Sequence, residues 1–160
     1  MLAEPLSASQ SKIWYFAYGS NLNVDLMKTR IGQWQLSKRA LVRNYRLVFN
    51  VYSKKRNGYS ANLQPTENFG DTVPGVVYRI TPEQLRELEK FEGVPAVDVG
   101  VELEDGNEIS HAKVFVWKSV EKEREPPKEY RRMIEQGLLQ HGYPESAVKK
   151  VFARFDALKA

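Results

Sequence analysis

The sequence contains no cysteine. That excludes a disulfide framework and any thiolate nucleophile or metal ligand, and it fits a reducing compartment. Histidine is nearly as scarce. His111 and His141 are too few and too scattered for a ligand set, and both are expected at the surface or in structural roles. No metal and no cofactor is expected. No apolar run approaches the roughly 20 residues of a membrane span. Met1 to Lys12 lacks the apolar stretch of a signal peptide. The expectation is a cytoplasmic protein without membrane association. An excess of one charge is also missing: 24 Lys and Arg face 20 Asp and Glu, a net charge of +4. The basic residues Lys38, Arg39, Arg43, Arg46, Lys54, Lys55 and Arg56 cannot all face one way along alternating strands. They are read as a solvated surface rather than a phosphate track, so no nucleic-acid partner is expected.

What is present suits a folded core. A chain of 160 residues with 42% hydrophobic and 11% aromatic content falls in the globular range. Residues 1–12 read as a flexible tail and 13–160 as one domain. Ile13 to Ala17 reads as a strand that breaks at Gly19 into Ser20-Asn21-Leu22. A helix follows from Asn23 to Ile31 with Leu26, Met27, Arg30 and Ile31 at helical spacing, and Gly32 stops it. Ala40 to Val51 reads as one strand, Ser53 to Gly58 as a basic loop, Ser60 to Leu63 and Pro74 to Ile80 as further strands.

Thr81-Pro82-Glu83-Gln84 is a capping box with proline in the first turn, opening a helix that runs to Glu92 and stops at Gly93. Val97 to Leu103 and Ile109 to Trp117 read as a hairpin turned by Asp105-Gly106. Pro126-Pro127 and Pro144 each open a further helix. Strands in succession, with helices between and after them, favour an α+β fold. Its expected form is a small mixed β-barrel or curled sheet with peripheral helices.

Two places carry chemistry. The strand–turn–helix junction at Tyr18 to Leu22 leaves backbone N–H groups pointing outward, a site for a carboxylate or phosphate unless it is an ordinary turn. Glu92 is the second. It follows Leu85 by seven and Leu88 by four, which sets it on or near the apolar stripe and in the last helical turn. Burial and the helix dipole would both raise its pKa and suit it to general acid/base work. The alternative is a glutamate that turns into water at a fraying helix end. Ser20 has no evident base partner, so a serine nucleophile is not expected.

Taken together, Tyr15-Phe16-Ala17-Tyr18-Gly19-Ser20-Asn21-Leu22, Gly75-Val76-Val77-Tyr78 and Glu92-Gly93-Val94-Pro95 resemble the γ-glutamylcyclotransferase superfamily and its AIG2-like members. Pro127, Tyr130, Ile134, Gly137 and Gly142-Tyr143-Pro144 are similar to the family's C-terminal helices. The resemblance implies cyclisation of a γ-glutamyl amino acid or γ-glutamyl-amine to 5-oxoproline, with release of the amine. It implies that Tyr18, Gly19, Ser20, Asn21 and Leu22 hold the glutamyl group and that Glu92 is the acid/base. Tyr18 and Tyr130 are assigned to the border of the same pocket, although tyrosines at such spacings are ordinarily core.

One stretch departs from the family. Members carry several more residues after Gly-Val-Pro, often including a tyrosine. Here Pro95-Ala96-Val97-Asp98 leads straight into Val99. Either the wall beside the site is shortened or residues are absent, and the leaving-group pocket is what this affects. The partner expected is a small γ-glutamyl molecule, bound by a monomer or homodimer. The other reading is a γ-glutamyl-binding protein of the same fold with little or no catalysis.

Overall fold

The structure, a computed structural model, describes residues 11–118 and 120–159. Most of the expected tail, residues 1–10, lies outside them. In chain order the strands and helices are β1 (Ile13–Ala17), α1 (Val24–Ile31), β2 (Ser37–Arg43), β3 (Tyr45–Ser53), β4 (Gly58–Pro65), β5 (Thr72–Ile80), α2 (Pro82–Glu92), β6 (Val97–Leu103), β7 (Glu108–Val114), α3 (Lys128–Gln140) and α4 (Glu145–Ala157). Five strands close a barrel in the order β1-β5-β2-β6-β7, and β3 and β4 form a separate two-stranded sheet. β1 pairs antiparallel with β5, from Ile13 opposite Ile80 to Ala17 opposite Val76. Its other edge meets β7 in parallel at Tyr15 and Lys113, so the barrel is mixed.

The helices follow their caps. Asn23 accepts the Leu26 N–H at 3.1 Å and starts α1. At α2 the reciprocal bonds between Thr81 and Gln84 form the full capping box, and a cap of this kind stabilises a helix by about 1 kcal/mol. Gly93 ends α2 in the left-handed conformation, φ 77°. Leu85 and Leu88 turn inward from α2 and join a core that includes Phe16, Val77, Tyr78, Ile134 and Phe152. Among the described residues no helix is long and apolar enough to cross a membrane.

The single strand expected over Ala40 to Val51 is two strands. Asn44 adopts φ 66° between them and breaks the run. Asparagine tolerates that conformation better than most residues, and the reversal sends β2 into the barrel and β3 onto β4. The last barrel strand also stops at Val114 rather than reaching Trp117.

The segment after β1 is clamped from several sides. Gly137 of α3 packs directly on its backbone: a Cβ there would lie 2.5 Å from Leu22 C and 2.6 Å from Asn23 N. The Tyr78 hydroxyl lies 2.9 Å from Asn21 O and 3.2 Å from Leu22 O. His141 Nε2 lies 3.0 Å from Leu22 O and 2.9 Å from the same hydroxyl. Burial holds the His141 imidazole below its ordinary pKa, which suits a structural role. His111 is exposed, with its ring 3.9 Å from Asp98.

Candidate active site

The end of β1, α1, the C-terminal end of α2, α3 and the β3–β4 hairpin enclose a cavity of about 680 Å³. Ser20–Leu22 forms a short 3₁₀ turn on its floor. Within the turn the Leu22 N–H is taken by Gly19 O at 3.0 Å and the Asn23 N–H by Ser20 O at 2.9 Å. The amides that open a turn have no partner inside it. In this turn those belong to Gly19, Ser20 and Asn21.

Tyr18, Gly19, Ser20, Asn21, Glu92 and Tyr130 all line the cavity. Leu22 does not. Its side chain is buried in the core, and its amide closes the turn. Tyr18 donates its hydroxyl proton to Phe115 O. The Tyr130 hydroxyl accepts the Ala61 N–H at 2.9 Å. Both are therefore wall residues whose hydroxyls already have partners, and burial pushes the Tyr130 phenol up to about 12.

Glu92 points inward from the last turn of α2, with its side chain 18% exposed. Its Oε1 accepts a hydrogen bond from Asn21 Nδ2 at 3.0 Å and lies 3.4 Å from Arg30 Nη1. Asn21 holds the centre together. Its Nδ2 also donates to the Tyr15 hydroxyl at 2.9 Å, and its Oδ1 accepts from Arg30 Nη1 at 2.7 Å. Burial raises the Glu92 pKa above the ordinary carboxylate value, while Arg30, Arg56 and the Asn21 bond pull it back. The same burial pushes the Tyr15 phenol well up and holds the Arg30 guanidinium below its usual range. The result is a mostly buried carboxylate that is still able to ionise, bonded through Asn21 to the turn after β1.

Three groups here fall outside the sequence expectations: the hydroxyl of Tyr15 and the guanidinium groups of Arg30 and Arg56. Arg30 shares the helical stripe of Leu26 and Met27 as Glu92 shares that of Leu85 and Leu88, so the same test finds it. Arg56 gives no such signal. It belongs to the basic loop read as solvated, yet its Nη2 reaches Ser20 Oγ at 3.2 Å and its Cζ lies 4.2 Å from the centre of the Tyr130 ring. Residues 95–99 are not on the cavity wall, and the Ala96 N–H is bound instead to Glu89 Oε2 at 2.9 Å. The β3–β4 hairpin supplies wall through Val51, Tyr52, Ser53, Lys55 and Arg56.

Residues 15–137 match the family model described as gamma-glutamyl cyclotransferase, AIG2-like. The gamma-glutamylcyclotransferase of Bos taurus is 29% identical over 145 residues, covering 86% of this chain and 76% of the relative. A solved gamma-glutamyl cyclotransferase structure superposes with a TM-score of 0.81 at 26% identity, over 89% of this chain and 88% of the other. YkqA from Bacillus subtilis superposes with a TM-score of 0.79 at 28% identity, over 92% of this chain but only 55% of its own. Barrel, helices and sequence thus agree over most of the chain, which belongs to the AIG2-like gamma-glutamyl cyclotransferase family of enzymes.

Proposed function

We propose that this chain converts a γ-glutamyl compound to 5-oxoproline and releases the attached amine or amino acid, with Glu92 as the general acid/base. The observation that carries the reading is the hydrogen bond between Asn21 and Glu92, 3.0 Å long. It joins the turn and the acid in one cavity. The substrate's α-amine attacks its own γ-carbonyl. Nucleophile and electrophile are in one molecule, so holding the folded conformer supplies much of the rate.

The attacking nitrogen must lose a proton as the ring C–N bond forms, and free α-amines are about half protonated near pH 8. Glu92 takes that proton and returns it to the departing nitrogen as the original C–N bond breaks. The charge balances with no water consumed. The Gly19, Ser20 and Asn21 amides hold the glutamyl α-carboxylate, and one of them can face the tetrahedral oxyanion. Tyr18 and Tyr130 shape the wall.

The test is Glu92→Gln, which keeps size and loses the proton carrier. Release of 5-oxoproline should fall at least about 100-fold with thermal stability retained. Near-normal turnover would refute the assignment. Binding of 5-oxoproline by the unaltered chain without any turnover would replace it with a ligand-binding role.

The same reading includes one domain over residues 13–160, a cytoplasmic setting and a role in glutathione metabolism, with the chain acting as a monomer or homodimer on a small molecule. Nucleic acid is not among its partners: Arg39 pairs with Glu104 at 2.8 Å and Arg43 with Glu102 at 2.7 Å, and Arg56 turns inward. Three of the seven basic residues are engaged in this way, which weighs against a continuous phosphate track.

A further inference from the structure

The cavity holds more positive charge than its own acids answer. Arg30 is occupied, bonded to Asn21 and beside Glu92. Arg56 is different. It is half-buried on the turn between β3 and β4, and its guanidinium bonds Ser20 Oγ and lies on the face of Tyr130. Among the described residues no carboxylate lies within ion-pair distance of it. A guanidinium has five N–H donors and a planar fork that matches a carboxylate. Half-buried, with the Glu92 charge in Coulombic reach but no carboxylate in contact, it has donors left for an anion.

Its place in the cavity says which anion. The floor is made of buried residues: Tyr15, Tyr18, Ser20, Asn21 and Tyr130. The mouth is marked by lining residues that are exposed, among them Tyr52, Lys55 and Glu129. Arg56 touches the floor at Ser20 and Tyr130 and follows the exposed Lys55 in the chain. On the cyclisation reading, a glutamyl group on the floor with its amine at Glu92 leaves the mouth side, with Arg56 and Lys55, for the departing group. Lys55 adds positive charge there and Glu129 subtracts some.

The turn is also held in place. The Arg56 N–H donates to Ser53 Oγ at 3.2 Å. At the following glycine, Gly58, a Cβ would come 2.2 Å from Pro127 Cγ at the start of α3. The guanidinium is thus positioned before any ligand arrives, which lowers the ordering cost of binding.

We infer that Arg56 is a specificity residue of this site, its guanidinium pairing with the carboxylate of a departing amino acid. This rests on the cyclisation reading above. A leaving amino acid carries that carboxylate, and a leaving simple amine does not.

γ-Glutamyl-alanine and γ-glutamyl-ethylamide differ only in that group, so they are the substrates to compare. The unaltered enzyme should favour the alanine compound by about 10- to 100-fold in kcat/KM, the size of one charge-assisted pair. Arg56→Ala should bring the ratio near one, with the change in KM. Arg56→Lys should restore part of it, and Arg56→Glu should invert it. A ratio unmoved by Arg56→Ala, or an equal loss on both substrates, would overturn the inference while leaving cyclisation intact. If the unaltered enzyme turns over neither substrate, the cyclisation reading fails instead. Calorimetric binding of the two compounds to the unaltered chain and to Arg56→Ala then decides the role of Arg56, since equal affinities throughout would overturn it.

Discussion

Asn21 and Glu92 share a hydrogen bond of 3.0 Å across 71 positions of sequence, and the same amide group reaches Tyr15 and Arg30. One side chain therefore sets both the position of the acid and the charge beside it. Replacing Asn21 with Leu keeps comparable bulk and removes all three bonds. The expected result is a fall in kcat of about 10- to 100-fold, larger than any change in KM, because a mispositioned acid costs most in the transition state. A variant whose loss lies wholly in KM would make Asn21 a substrate contact rather than a positioning residue.

Arg30 acts on the same carboxylate through its charge. Burial sets the Glu92 pKa above the ordinary value, and the Arg30 guanidinium is foremost among the groups that lower it again. As a base Glu92 must be ionised, so kcat/KM should rise with pH as that group loses its proton. Without the cation the ionised form is harder to reach. Arg30→Gln should therefore move the acid limb of the pH–rate profile to higher pH, and a limb that stays put or moves down would contradict the assignment.

Gly137 packs α3 directly on the backbone of the site turn. A methyl group there meets the Leu22–Asn23 backbone at 2.5 and 2.6 Å, and backbone cannot swing aside as a flexible side chain can. Gly137→Ala should destabilise the fold by about 1–3 kcal/mol in spite of alanine's better helix propensity. It should also cut 5-oxoproline release by displacing the turn. Denaturant titration and a turnover assay check the two parts separately. A stabilised, fully active variant would show that the helix can retreat without cost.

The legible parts of this protein are those whose signals are local. β1 has the expected bounds, and Asn23, Thr81, Gln84, Gly32 and Gly93 mark helix ends through bonds or backbone angles within a few residues. Helical spacing ties Glu92 to Leu85 and Leu88 but leaves a turn into water open, and the family resemblance is what singles it out. The split at Asn44 was not legible, since a single residue with positive φ between two strand-like stretches is a weak signal against the β-formers on either side. Arg56 was not legible either. Its inward turn depends on Tyr130 and Ser20, which meet it only once the barrel and helices are assembled. The same limit applies to the wall. The short stretch after Pro95 is off the cavity wall, to which the distant β3–β4 hairpin contributes.

The hairpin of β3 and β4 shares no ladder with the barrel. Insertions or replacements at its tip would leave the barrel's hydrogen-bond registers and the α2 terminus untouched. On the leaving-group reading above, that places selectivity on a hairpin outside the barrel. Exchanging residues 54–57 should change which leaving groups are accepted while the barrel stays in register, and a cation at position 56 has to be kept for its pull on the Glu92 carboxyl.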